Sequence, residues 1–212
     1  MDVLLKVVLA IFIIVVSAEV LWRNKILRSE PSRKLVHILV GTYVASWGFF
    51  LADQQILLLA AAMFGVVLAS RYLGVLGSIH NVQRKTWGEL FFPIGIASCA
   101  VLTGSPWIFM AAMLHVSVAD GLAAVVGSNY IKKHGYKIFN QQKTIVGSLI
   151  FFNASIFITL AATLLAPELQ GSVLVVLIVP LLSLAAENIA VYGADDLFVP
   201  VVVVLVMNAL AI

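Results

Sequence analysis

Eight apolar runs, separated by short polar segments, constrain the fold of this chain more than any other feature of its sequence. A helix needs about 20 mainly apolar residues to cross the hydrocarbon core of a bilayer, and most of these runs approach that length. Only 11% of the 212 residues are charged, whereas soluble domains carry about 25%. The sequence therefore predicts an all-α polytopic membrane protein with a single transmembrane domain. The predicted helices cover residues 3–22, 35–52, 55–73, 90–104, 106–128, 145–166, 172–191 and 197–212.

Two of these helices need an argument beyond apolar length. The boundary between the fourth and fifth lies at Gly104, Ser105 and Pro106, a combination that favours a tight turn. A seven-helix chain with one broken helix at this point is the alternative. The last helix is rich in valine, which favours strands in water. A lone strand cannot satisfy its backbone hydrogen bonds in lipid, so we expect a helix there as well.

The distribution of Lys and Arg predicts the orientation in the membrane. The segments after the first, third and fifth helices hold nearly all of these residues, and Lys6 is the exception. Because basic loops stay in the cytoplasm, both termini are predicted on the non-cytoplasmic side. Basic residues follow the first helix directly, where a leader would have a cleavage site, so we expect that helix to be retained in a prokaryotic plasma membrane. The net charge of +3 is too small and too scattered to indicate nucleic-acid binding, and the oligomeric state stays open.

Ionisable residues inside the predicted helices lie mainly in their cytoplasmic halves. Each charged group in the hydrocarbon region costs roughly 2.5–3.5 kcal/mol, so its presence needs a reason. His115 alone approaches the membrane midplane. We therefore expect one polar site at the cytoplasmic face. The residues concerned are Glu19, His37, Glu89, Asp120 and Glu187, followed in the last loop by Asp195 and Asp196.

Two segments combine basic residues with a histidine or an acid. Arg33, His37 and Gly41 are spaced by four and share one helical face, where the glycine allows a close approach. The alternative is a topology-setting loop followed by a histidine that is hydrogen-bonded inside the bundle. In the second segment, Lys85 and Glu89 can pair at a spacing of four residues. The alternative there is an anchor of basic residues and tryptophan at the membrane interface.

A third segment joins an acid to a basic loop. Asp120 can bind a divalent cation through oxygen, and lysines such as Lys143 can neutralise phosphate charge. Gly147 and Ser148 open the sixth helix, whose first N–H groups can receive phosphate. This composition suits a site for a nucleotide and Mg²⁺, although the chain contains no Walker A motif. The alternative is an ordinary basic loop and a carboxylate that is paired with a buried base.

A fourth segment places acids where the surrounding charge is positive. Glu187 ends the seventh helix, and Asp195 and Asp196 follow in the next loop. Carboxylates in such a position favour a metal site or ion pairs with the basic loops. A solvated turn is the alternative.

These four segments, in this order, resemble the family of CTP-dependent lipid-alcohol kinases, which includes dolichol kinase, phytol kinase and the fungal-type diacylglycerol kinase. The family is distantly related to the phosphatidate cytidylyltransferases, and the resemblance covers about residues 28–200. Two positions depart from the family pattern: Val146 stands where a glutamate is usual, and Gly127 leads to Ser128 instead of Gly-Lys. The matching positions are Arg33, Lys34, His37, Gly41, Arg84, Lys85, Thr86, Gly88, Glu89, Ala119, Asp120, Ala123, Gly127, Lys143, Thr144, Gly147, Ser148, Glu187, Asp195, Asp196, Leu197 and Pro200.

The resemblance implies transfer of the γ-phosphoryl group of CTP to a lipid hydroxyl, with Mg²⁺ as cofactor. It implies catalytic roles for Asp120, Lys143, Glu89 and His37, and metal binding by Asp120, Asp195, Asp196 and Glu187. It assigns nucleotide binding to Arg33, Lys34, Arg84, Lys85, Gly127, Thr144, Gly147 and Ser148.

The acceptor that the resemblance favours is an isoprenoid alcohol such as phytol, geranylgeraniol or a polyprenol, because small members of this size resemble phytol kinases. Diacylglycerol is the second choice, and cytidylyl transfer to phosphatidate is a different chemistry that the same segments could support. A small transporter is the non-enzymatic alternative. It would need polar residues across the whole membrane, and the outer halves of the predicted helices contain almost none.

Overall fold

The computed structural model describes residues 2–26, 30–80, 86–139 and 141–211, and most of these residues are helical. Eight long helices within them correspond one to one with the predicted helices. The second differs most, because it begins and ends earlier than predicted and is followed by a 3₁₀ turn at Trp47–Phe49. The helices are α1 (Val3–Arg23), α2 (Glu30–Ala45), α3 (Asp53–Leu73), α4 (Gly88–Leu102), α5 (Pro106–Tyr130), α6 (Ile145–Leu165), α7 (Val173–Ile189) and α8 (Asp195–Leu210).

Four of these helices, α1, α3, α5 and α6, are long and apolar enough to cross a membrane by length and composition. The helices α4 and α7 are apolar but shorter. In the most apolar window of α5, 67% of the residues are buried, compared with 17% in α1. The fold is therefore that of a helical membrane protein with α5 at its centre and α1 at its edge. Eight membrane crossings, and the side on which the termini lie, stay predictions.

The predicted boundary between the fourth and fifth helices is present. The α4 helix ends at Leu102, and Thr103 is extended. Ser105 then caps α5, because its hydroxyl accepts a hydrogen bond from the Ile108 N–H at 3.3 Å, and Pro106 occupies the first helical position. Two separate helices, and not one broken helix, occupy this part of the chain.

A β-hairpin departs from the all-α prediction. Strand β1 (Gly135–Ile138) pairs antiparallel with β2 (Gln141–Thr144), so the predicted basic loop before α6 is folded. The Tyr136 hydroxyl lies 2.5 Å from both the Ser148 hydroxyl and the Asn188 side-chain oxygen. The hairpin is thereby attached to the start of α6 and the end of α7.

Helix α2 crosses the central helix α5 at very short range. A Cβ atom on Gly41 would overlap the Ser117 side chain, and a Cβ atom on Gly121 would overlap Ile38. Small residues at such crossings let helix backbones approach each other in a membrane bundle. This crossing sets the position of every polar group on α2 relative to α5.

We predict that Gly41→Ala destabilises the protein by about 1–3 kcal/mol, because the added methyl group forces α2 away from Ser117. Gly65→Ala on α3 is the matched control, since nothing lies within 4 Å of a Cβ atom at that position. Alanine should be neutral or slightly stabilising there. Thermal unfolding in detergent measures both variants. Equal midpoints for the two would contradict the proposed close crossing.

Candidate active site

A buried ion pair joins α2 to α5 at the centre of the candidate site. The Lys34 ammonium donates a hydrogen bond to the Asp120 carboxylate, and each side chain is only 6% exposed. Isolated charges at this depth would be very costly, whereas a close pair offsets much of that cost. The pairing connects a predicted nucleotide-binding residue to the predicted principal metal ligand.

His37 lies one turn further along α2 and faces the same part of α5. Its Nε2 atom is 2.8 Å from the Val116 carbonyl oxygen. Because a carbonyl oxygen only accepts, this hydrogen bond places a proton on Nε2. Val116 belongs to a π-helical segment, His115–Ala119, which ends directly before Asp120. Such segments occur often at functional sites, and this one leads directly into the ion-paired acid.

Asp196, in the first turn of α8, completes a group of three with His37 and Asp120. One possible ligand atom from each residue lies within 4.8 Å of the others. Asp196 is 3% exposed, and its Oδ1 atom is 3.4 Å from His37 Nε2. Mg²⁺ is commonly held by one or two carboxylates together with substrate phosphates, so the two aspartates fit this ion. Imidazole suits it less well, and His37 is better placed to position these acids than to ligate Mg²⁺.

The backbone around Asp196 leaves no room for larger residues. A Cβ atom on Gly88 would overlap the Asp196 carboxylate, and one on Gly193 would overlap both Gly88 and Thr86. Gly193 also has a φ of +88°, which favours glycine. The Trp87 N–H donates to the Tyr192 carbonyl at 2.8 Å. The start of α4 is thus held directly against the turn that carries Asp195 and Asp196.

A second ion pair links the hairpin to α7. The Lys143 ammonium donates to the Glu187 carboxylate at 2.6 Å and also to the Glu187 main-chain carbonyl. Both side chains are 11% exposed. Glu187 interacts electrostatically with Asp120 and Asp195, so this pair belongs to the same acidic region. Asp195 is half-buried and stands beside Asp196.

Glu89 pairs with a residue that the sequence prediction did not select. Its Oε1 atom accepts a hydrogen bond from Arg71 at 2.6 Å and lies 3.7 Å from His80. The Arg71 guanidinium also lies 4.1 Å from the centre of the Trp87 ring. The predicted partner Lys85 lies outside the described residues, as does Arg84. In the part of the chain that the structure describes, the cation in contact with Trp87 is therefore Arg71 of α3, and an anchor at the membrane interface stays a prediction.

The predicted phosphate cradle at the start of α6 already has internal partners. The Thr144 hydroxyl accepts a hydrogen bond from the Gly147 N–H at 3.0 Å and caps the helix. A Cβ atom on Gly127 would lie 3.0 Å from the Gly147 Cα atom, so α5 and α6 touch here. The Ser148 hydroxyl is bonded to Tyr136. Phosphate binding by these four predicted residues stays a prediction.

A cavity of about 370 Å³ lies between α1, α2, α3 and α4. Its walls are apolar side chains of these helices and of the segment between α3 and α4. The ionisable residues in its lining are Arg33, His37, Glu89 and Asp196. Two of these, His37 and Asp196, also belong to the group that contains Asp120. The cavity therefore reaches the candidate metal site.

Comparison with known proteins found one relative of this chain. The chain is 28% identical over 194 residues to the phytol kinase of Synechocystis sp., and the alignment covers 88% of this chain and 82% of that protein. The chain is related to phytol kinase. No protein-family model matches it, and no solved structure matches it.

The relationship to phytol kinase confirms the resemblance to phytol and dolichol kinases that the sequence motifs indicated. It also confirms the prediction of a phosphotransferase that acts on an alcohol group. The individual site residues rest on the motifs and on the geometry described above.

Other buried polar residues have partners that indicate a structural function. His115 Nδ1 lies 2.7 Å from the Ala111 carbonyl oxygen, and its Nε2 lies 2.8 Å from the Ser155 hydroxyl. That hydroxyl is in turn 3.1 Å from Ser183, so the network joins α5, α6 and α7. Glu19 accepts a hydrogen bond from the Ser78 N–H at 3.0 Å and fixes the single helical turn Gly77–His80 to α1.

We predict that Lys34→Met destabilises the protein by about 3–5 kcal/mol, because it leaves Asp120 buried without its base. The double variant Lys34→Met/Asp120→Asn should recover much of that loss, since the unpaired charge is then removed. Arg23→Met is the control, because Arg23 is 69% exposed in its pair with Glu19 and such a pair contributes about 0–1 kcal/mol. Unfolding midpoints in detergent for Lys34→Met, for Asp120→Asn and for the double variant give the coupling energy between the two side chains. If the effects of the two single substitutions simply add up in the double variant, the pair is not formed.

Proposed function

We propose that this protein is a CTP-dependent kinase that phosphorylates a membrane isoprenoid alcohol at the cytoplasmic face of the membrane. One observation carries the proposal. The apolar cavity and the candidate metal group share two residues, His37 and Asp196, so a lipid bound in the cavity would present its polar end beside the carboxylates. The relationship to phytol kinase supports a lipid alcohol as the acceptor.

The carboxylates of Asp120 and Asp196 are proposed to hold Mg²⁺ together with the phosphates of CTP. When bound, the ion neutralises charge on the β- and γ-phosphates. The half-buried Asp195 and the nearby Glu187 surround this position and are the further metal candidates.

Basic residues from two directions would contact the phosphates. Lys34 and Arg33 stand at the start of α2 and are both buried. Lys143 comes from the hairpin and interacts electrostatically with Asp120. Phosphoryl transfer depends mainly on positioning and charge neutralisation, and a triphosphate between these residues would receive both.

The reaction forms a bond between the alcohol oxygen and the γ-phosphorus and breaks the bond between that phosphorus and the bridging oxygen. The products are a lipid monophosphate and CDP, and the alcohol proton leaves to a carboxylate or to water. A cytidylyltransferase would instead break the bond at the α-phosphorus and release pyrophosphate. The by-product therefore distinguishes the two chemistries.

We predict that Asp120→Asn lowers transfer of the γ-phosphoryl group of CTP to phytol or geranylgeraniol by about a hundredfold or more, since a neutral amide is a weaker ligand than a carboxylate for the Mg²⁺ that would neutralise the phosphates. Asparagine keeps the volume of the side chain and can still accept a hydrogen bond from Lys34. Purified protein, γ-labelled CTP and chromatography of the labelled lipid measure the rate, and thermal unfolding checks the fold.

Asp53→Asn is the matched control, because Asp53 is an exposed acid in the first turn of α3. It should retain the rate of the unchanged protein. Full activity in Asp120→Asn, or release of pyrophosphate in place of CDP, would overturn the proposal.

A further inference from the structure

The apolar cavity opens sideways between α1 and α3. Val8, Phe12 and Val16 on α1 and Val66 on α3 all line it, and each of these residues is at least 40% exposed. Because these residues line the cavity and are also exposed, they do not close it completely on this side. Because α1 and α3 are apolar helices of membrane-spanning length, the surroundings at this opening are lipid.

One of the residues that line the cavity has a carboxylate oxygen without a partner among the described residues. Glu89 lines the cavity, its side chain is only 8% exposed, and its Oε1 atom is occupied by Arg71. Its Oε2 atom is buried and has no hydrogen-bond partner among the described residues. A buried acceptor without a donor costs free energy, so this oxygen is suited to a ligand that brings a donor.

The lining also restricts the kind of lipid that the cavity can accept. Among the described residues that line the cavity, every side chain except those of Arg33, His37, Glu89 and Asp196 is apolar, and none of the apolar ones carries a hydroxyl or an amide. Diacylglycerol has two ester groups close to its hydroxyl, and these would lose water without gaining enough donors. An isoprenoid alcohol has a hydroxyl as its only polar group. The volume of about 370 Å³ is in the usual range for a small-molecule site.

We propose that the acceptor alcohol enters from the lipid between α1 and α3, lays its isoprenoid chain in this cavity and donates its hydroxyl hydrogen to Glu89 Oε2. This inference rests on the proposed kinase function and adds the route, the chain-binding residues and the group that orients the hydroxyl. Asp196 lines the same cavity, and its carboxylate touches Gly88, the residue before Glu89, so the oriented oxygen would lie near the carboxylates that are proposed to hold the metal and the nucleotide.

A pair of neighbouring alanines on α3 tests the chain-binding site. Ala61 and Ala62 are both exposed, but only Ala62 belongs to the lining of the cavity. We expect Ala62→Phe to raise the KM for geranylgeraniol at least tenfold while leaving the KM for CTP and the rate with a five-carbon prenol unchanged. Ala61→Phe should behave like the unchanged protein with all three. Equal kinetics for the two variants would overturn the inference.

Glu89→Gln tests the orienting group. Binding of geranylgeraniol is compared with binding of its methyl ether, which has no hydroxyl hydrogen to donate, in the unchanged protein and in the variant. The unchanged protein should bind the alcohol roughly tenfold more tightly than the ether. Glutamine should abolish most of that difference in affinity, because its amide N–H can donate to the oxygen of the alcohol and to the oxygen of the ether alike. Asp53→Asn, at an exposed position, should keep the preference.

The outcomes separate this inference from the proposed function. If the unchanged protein transfers no phosphoryl group from CTP to any lipid alcohol, the proposed function is wrong. If it transfers the group but phosphorylates diacylglycerol at the same rate as geranylgeraniol, the function stands and the acceptor site lies elsewhere. The same conclusion follows if Glu89→Gln still binds the alcohol more tightly than the ether.

Discussion

The ion pair between Lys34 and Asp120 is the interaction on which the rest of the site depends. It forms where α2 crosses the central helix α5 so closely that Gly41 and Gly121 leave no room for a Cβ atom, and both charges are buried there. The same crossing brings His37 against the π-helical segment that precedes Asp120. Without the pair, a carboxylate would be left in an apolar bundle at a cost of several kcal/mol. The geometry of the site therefore depends on the packing of α2 against α5.

The helices could be predicted from the sequence because lipid makes the choice simple. A long apolar run in a membrane must form a helix, since no other local structure satisfies its backbone, and even the valine-rich α8 follows this rule. The hairpin of residues 135–144 was missed because its strands have four residues each, and alternation over so few positions is a weak signal. Its Tyr136 is held by contacts with α6 and α7 that no local pattern shows.

Sequence reasoning predicted one polar region for the site but not the pairings within it. It placed the acids at one side of the bundle, and the structure brings Asp120 and Asp196 together although they are far apart in the chain. It did not indicate that Arg71 would pair with Glu89, or that Gly193 would make room beside Gly88. Such contacts depend on how each helix is rotated about its axis and on how the loops cross, and spacing within a single segment does not determine either.

The two buried ion pairs explain how an acidic site can exist before its substrate arrives. Lys34 neutralises Asp120, and Lys143 neutralises Glu187, so these four charges sum to zero. Under the proposed function, the lysines would contact phosphate oxygens of a bound triphosphate, and the carboxylates would hold its cation.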